Sequence, residues 1–250
     1  METHNDLKLA VLIDADNVPY ANVKGMLEEI AKYGTPTFKR IYGDFTKPNL
    51  GGWKNVLLAN AITPIQQYAY TTGKNATDSA LIIDAMDILY TGNVDGFCII
   101  SSDSDFTRLA TRLREAGKQV FGMGEKKTPA AFIAACNKFI YIEILQTAAK
   151  EPDVAKPEKK IRKTKTSDAD RVNRGMEKLI KDSVNDLAAD DEWVFLGVLG
   201  NLILKKQPDF DSRNFGHKKL LDLIRTIPGI EIDERQTGKN NISHFYVRAK

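Results

Sequence analysis

The 250 residues, 42% of them hydrophobic, suffice for one large domain or two small ones with buried cores. No apolar run approaches the roughly 18–20 residues of a membrane span, and the first residues are polar without the basic stretch of a secretory signal, so a cytoplasmic chain away from membranes is expected. The net charge of +3 is uneven: residues 1–148 carry 15 basic and 16 acidic side chains, 149–175 carry 9 and 5, and 176–250 carry 12 and 12, which puts the basic excess in the middle.

Residues 7–145 alternate short apolar runs with helix-like stretches, the pattern of βαβ units and a parallel sheet. In chain order the pattern predicts strands over 9–13, 37–42, 63–68, 97–100, 119–122 and 139–145, with helices over 21–33, 53–60, 79–90, 107–116 and 129–136. Pro19 stands near a helix start, Gly34 follows a helix, and Gly117 ends another where a left-handed residue is useful. The expected architecture is α/β, a Rossmann-like sandwich without a dinucleotide fingerprint. No Gly-x-Gly-x-x-Gly opens a helix, and Gly122-Met123-Gly124 counts only as a turn. Cys98 and Cys136 lie in separate apolar runs and read as buried reduced thiols. His4, His217 and His244 are scattered without Cys/His ligand spacing, so any metal must be held by oxygen.

Residues 150–170 contain Pro152, Pro157 and the cations Lys156, Lys159, Lys160, Arg162, Lys163 and Lys165, with almost no large apolar side chain. This segment reads as an exposed linker, either a solvated tether or a basic strip that tracks an RNA backbone. Beyond it, 176–187 is an amphipathic helix, and Leu196, Leu199, Leu202 and Ile203 mark a second. A third is N-capped by Ser212, has an apolar face of Phe215, Leu220, Leu221, Ile224 and Ile227, and stops at Pro228-Gly229. Segments 230–232 and 245–247 then form a hairpin around the polar tip 236–241, and three helices followed by a hairpin suggest a small winged helix-turn-helix.

Asp14 directly follows the first strand and Asp103 follows the run 97–102, so both stand at carboxyl ends of parallel strands, the edge where open α/β sheets bind ligands. Asp105 lies two residues on, and Asp78 starts the helix over 79–90 after the polar loop 71–77. Four crowded carboxylates repel one another unless protons or a cation neutralise them, and Mg²⁺ or Mn²⁺ is the natural partner of such oxygens. An ion so held can activate water and clamp phosphate oxygens. Asn17 would orient a water or carboxylate, and Lys74 would contact phosphate. Any one aspartate here is as readily a cap or turn former, Asp105 for the helix after it included; the convergence of four points to a site. Asp84 lies about 240° round the helix from Asp78, so a structural hydrogen bond or solvent suits it better. Asp16, Asp44 and Asp87 read as surface groups.

At these residues the sequence resembles the NYN family, a branch of the PIN-like metal-dependent ribonucleases. Asp14-Ala15-Asp16-Asn17 resembles its first-strand Asp-x-x-Asn, Lys74-Asn75-Ala76-Thr77-Asp78 its Lys-x-x-x-Asp loop, and Ser101-Ser102-Asp103-Ser104-Asp105-Phe106 its Ser-x-Asp-x-Asp-Phe turn. Gly122-Met123-Gly124 through Thr128-Pro129, and Ala135-Cys136-Asn137 through Tyr141, are similar to its bacterial, LabA-like members. One departure is Asn75-Ala76-Thr77, where the family loop commonly has glycine and an apolar residue. The resemblance implies a PIN-like domain over 1–148, joined by a linker over 149–170 to a second domain over 171–250. It also implies ribonuclease activity with Mg²⁺ or Mn²⁺ on Asp14, Asp78, Asp103 and Asp105. Trp193-Val194-Phe195, Pro208-Asp209-Phe210-Asp211 and Asn214-Phe215-Gly216-His217-Lys218-Lys219 are similar to the LOTUS or OST-HTH domain, a winged-helix module linked to RNA, in some members G-rich, or to helicase partners. That implies single-stranded or structured G-rich RNA as partner, with Lys218, Lys219 and Lys239 as contacts, and a possible protein partner for this domain.

Two other readings stand beside this one. Asp14-x-Asp16 also resembles the haloacid-dehalogenase phosphatases, with Asp14 as nucleophile and Asp16 as acid, although Asn17-Val18-Pro19 departs from that pattern. The other is a non-catalytic RNA-binding adaptor whose acidic pocket is inert.

Overall fold

A computed structural model of the chain describes residues 6–68, 76–148, 167–188, 193–237 and 242–250. Its contacts divide into two compact units, Met1–Glu151 and Pro152–Lys250. Among the described residues no helix is long and apolar enough to cross a membrane.

The first unit runs β1 (Lys8–Asp14), α1 (Val23–Ile30), β2 (Thr35–Gly43), α2 (Lys54–Leu57), β3 (Thr63–Gln66), α3 (Ala76–Thr91), β4 (Gly96–Ile100), α4 (Thr107–Glu115), β5 (Gln119–Gly124), α5 (Ala130–Ala135), β6 (Lys138–Tyr141) and α6 (Ile142–Ala148). The six strands form one parallel sheet in the order β3-β2-β1-β4-β5-β6. The winding reverses between β1 and β4, and a crevice opens there at the carboxyl ends of the strands.

Strand alternation decides what meets in that crevice. Leu9, Val11 and Ile13 of β1 join one buried cluster with α1 residues such as Met26 and Ile30, while Ala10 and Leu12 join another with Leu81 and Ala85 of α3. With side chains pointing to opposite faces in turn, Asp14 falls on the face of Ala10 and Leu12, under α3. In β4, Phe97 and Ile99 share that face, so Ser101 falls on it too. Leu9 to Ile13 are fully buried, so each contributes about 1.5–3 kcal/mol of apolar burial where its side chain is large.

Several expectations need correction. The apolar run over 139–145 is not one strand: β6 ends at Tyr141, and Ile142 and Leu145 pack one helical turn apart in α6. Periodicity alone does not separate a buried strand from a buried helix in so short a run. Gly122 and Gly124 lie within β5 and form no turn. Asp44 is buried, with its Oδ1 accepting from Thr46 and Gln66, so it is not a surface group. Asp16 and Asp87 are exposed as read, Gly117 has the expected φ of 77°, and Cys98 and Cys136 are free and buried. Burial pushes both thiols up, Cys136 to about 12.

The second unit contains α7 (Ser167–Leu187), β7 (Val194–Phe195), α8 (Leu196–Lys206), α9 (Leu220–Ile224), β8 (Ile230–Thr237) and β9 (Ile242–Ala249). Its sheet has the order β7-β9-β8 with antiparallel pairing, and Ile180, Leu199, Ile203, Leu223, Ile224 and Val247 share one core. The third predicted helix is split: a short 3₁₀ turn spans Ser212–Phe215, Gly216 takes φ 82°, and α9 follows. Its cap is Asp211, whose carboxylate accepts from the Arg213 N–H; Ser212 lies inside the turn. The strand β7 is too short to show a sequence period, and the hairpin strands run longer than the two apolar patches suggest.

Candidate metal centre

The acids arrive at the crevice from separate elements. Asp14 ends β1, Asp78 sits in the first turn of α3, and Asp103 and Asp105 belong to the turn after β4. Asp78, Asp103 and Asp105 each offer a carboxylate oxygen, and these oxygens lie within 4.8 Å of one another. Asp14 stands outside that trio but acts on it electrically. Burial first, and then the charges of Asp14, Asp103, Asp105 and Asp16, push the Asp78 carboxyl up to about 6.

Asp14 is almost completely buried, and its carboxylate is held on both oxygens. Ser101 Oγ donates to Oδ2 at 2.7 Å, Asn17 Nδ2 donates to the same oxygen at 2.7 Å, and the Asp16 N–H donates to Oδ1 at 3.1 Å. Burial raises its pKa, against those hydrogen bonds, which favour the charged form. Ser101 also accepts the Asp103 N–H at 3.1 Å, so one hydroxyl ties the β4 turn to the β1 terminus. Asp103 in turn caps the 3₁₀ turn Ser104–Phe106, its Oδ1 accepting the Asp105 N–H at 2.9 Å. The cap of this turn is thus Asp103 and not Asp105, for which capping was the alternative reading, and Asp103 caps and joins the acidic trio at once.

Asn17 contacts the Asp14 carboxylate, as one of its two expected tasks required. Ser101 is the residue that reasoning from sequence passed over; its signal was a serine directly after an apolar strand and two residues before Asp103, on the Asp14 face of the sheet. Asp84 has the structural role expected of it, accepting from Arg40 and Tyr42 of β2. Lys74, Lys239 and the basic cluster from Lys156 to Lys165 lie outside the described residues. Lys218 and Lys219 are exposed in the second unit, just before α9.

The NYN domain family matches residues 8–143, more than half of the chain and all four acids. The chain belongs to the NYN family. NYN domains fall within the PIN-like nuclease superfamily, and residues 156–242 match the OST-HTH/LOTUS domain, an RNA-binding type of module. Two solved structures are similar to this NYN chain. One is a protein of unknown function from Vibrio parahaemolyticus, 20% identical, covering 57% of this chain and 96% of its own, with a TM-score of 0.46. The other is an uncharacterized protein from Nitrosomonas europaea, 30% identical, covering 40% of this chain and 90% of its own, with a TM-score of 0.28. No curated protein matches the chain.

Proposed function

We propose that this NYN protein is a metal-dependent ribonuclease that hydrolyses RNA phosphodiesters at the aspartate cluster, with its C-terminal module holding RNA. The observation that carries the reading is the meeting of Asp78, Asp103 and Asp105 oxygens within 4.8 Å at the reversal point of the sheet. The donor set fits a hard divalent ion: it is all carboxylate, and the elevated pKa of Asp78 reflects burial first and then repulsion by its acidic neighbours, a repulsion that a cation would relieve. Asp78, Asp103 and Asp105, with Asp14 beside them, are the residues that would hold it. Mg²⁺ or Mn²⁺ supplies Lewis acidity for phosphodiester hydrolysis when bound there.

The chain's own groups do the remaining work. Ser101 and Asn17 fix the Asp14 carboxylate in one orientation and favour its charged form against the opposing effect of burial, which makes them positioning residues. Asp105 is exposed at the mouth, where a strand of RNA can reach it. Lys74 would meet a phosphate, and Lys218, Lys219 and Lys239 would contact the RNA backbone through the second domain.

The test is turnover of a generic RNA in Mn²⁺ by the 250-residue chain and by an Asp14→Asn, Asp103→Asn variant. The native chain cuts and the variant does not. Cleavage that survives both substitutions contradicts the assignment, as does RNA binding without any cleavage, the result expected of an adaptor. A covalent aspartyl-phosphate on Asp14 would point instead to the phosphatase.

A further inference from the structure

Beside the acidic trio, on the other side of the sheet edge from α3, lies a cavity of about 360 Å³. It is lined by Asp16, Asn17, Tyr20, Asn49, Trp53 and Lys127, among others. Two of its walls are continuous with the metal centre. Asp16 and Asn17 bond the Asp14 carboxylate directly, and Glu125 on the opposite wall donates its N–H to Ser102 Oγ at 2.9 Å, one residue before Asp103. A phosphate at the acids and a group in this cavity would therefore be neighbours on one strand.

The lining has the chemistry of a base-binding site. Tyr20 is 46% exposed although it is a large aromatic, and its ring is backed by Gly52, where a Cβ would come within 2.4–2.8 Å of three consecutive ring atoms. Glycine at 52 thus lets the ring settle against the backbone, and the exposed remainder is available for stacking, an interaction every nucleobase can make. Trp53 is buried and also lines the cavity. The polar part selects among bases. The exposed Asp16 carboxylate accepts hydrogen bonds only, while the Asn17 and Asn49 amides can donate; the Lys127 ammonium is paired with the Glu125 carboxylate on the same lining. Of the four RNA bases, only guanine presents two adjacent N–H donors with a carbonyl acceptor beside them on its pairing edge. That edge complements a carboxylate flanked by donors, and it is reachable only when the base is unpaired.

We propose that this cavity is a subsite for an unpaired guanine of the RNA strand next to the scissile phosphate, stacked on Tyr20 and read by Asp16. The proposal rests on the ribonuclease reading above, and two measurements separate their failures. The first maps cut ends in a random single-stranded RNA pool in Mn²⁺. The native protein enriches guanine at one position beside the cut, Tyr20→Phe keeps the enrichment, and Tyr20→Ala and Asp16→Asn lose it, with cleavage of guanine-containing sites down about ten-fold for Tyr20→Ala. Cutting with no base enrichment, or enrichment unchanged in Tyr20→Ala, overturns the subsite and leaves the nuclease standing.

The second measurement needs no cleavage: quenching of intrinsic fluorescence by guanosine, adenosine, cytidine and uridine 5′-monophosphates. Guanosine monophosphate binds most tightly, and Tyr20→Ala and Asp16→Asn each weaken it about ten-fold while thermal unfolding shows both variants folded. Equal binding of all four nucleotides, or unchanged binding in both variants, overturns the proposal even in a protein that cuts no RNA. Guanosine monophosphate binding without guanine enrichment at the cut identifies a site for free nucleotide and overturns the assignment to the RNA strand.

Discussion

At the scale of single residues, Asp78 is the group whose state reports on the site. Its folded pKa of about 6 stands above the ordinary 3.8, so the folded chain binds this proton more tightly than the unfolded chain does. Without a cation, the ionised carboxylate destabilises the fold above about pH 6, and that penalty disappears as pH falls toward 3.8. Asp78→Asn should therefore stabilise the ion-free protein at pH 8 by about 1 kcal/mol once solvent screening of this half-exposed group is allowed for, read by urea unfolding. The same substitution should abolish the stabilisation that Mn²⁺ gives the native chain. A variant less stable than the native protein at pH 8 without metal would contradict the view that burial and neighbouring charges make the ionised Asp78 a cost to the fold. Asp14, Asp78, Asp103 and Asp105 were legible from the sequence because strand ends and a helix start are readable. The hydroxyl of Ser101 was not, since its task appears only when β1 and β4 are known to be neighbours.

At the scale of elements, the trio depends on where α3 lies against the sheet. Asp84, about one and two-thirds turns beyond Asp78, fastens that helix to β2 through Arg40 and Tyr42. It holds Arg40 charged and, with burial, pushes the Tyr42 phenol far up. Asp84→Asn removes the charge partner of a half-buried guanidinium and should lower stability by about 1–3 kcal/mol in urea unfolding. Mn²⁺ affinity should fall with it, although Asp84 is no ligand; a variant as stable as the native chain would show that α3 is fixed by its apolar face alone. Most elements of the first unit were legible because β1, β4, β5 and β6 are largely apolar runs bounded by polar segments. Helix α6 was hidden because Ile142 and Leu145 continue the apolar run of β6 without a breaker. The split before α9 was hidden for the opposite reason: Gly216 sits amid a helical spacing that Leu220 and Ile224 continue.

At the scale of the whole molecule, the sequence joins a nearly charge-balanced NYN region to a nearly charge-balanced OST-HTH/LOTUS region through a stretch carrying 9 basic and 5 acidic residues over 149–175. Cations that neutralise phosphates make affinity fall with salt, by a slope near 0.7 per contact on single-stranded RNA. Replacing Lys159, Lys160, Arg162 and Lys163 with alanine should weaken RNA binding at low salt and flatten the slope of log K against log salt by about 2–3. The cut per bound RNA should stay the same. An unchanged slope would make this segment a tether only.

The central claim is that acids from distant parts of the chain grip one cation together. Calorimetric titration of Mn²⁺ into the native protein and into Asp78→Asn, Asp103→Asn and Asp105→Asn tests it most directly. One saturable binding event that each substitution abolishes or weakens at least ten-fold is the predicted result. Native-like Mn²⁺ binding in all three variants would contradict the account.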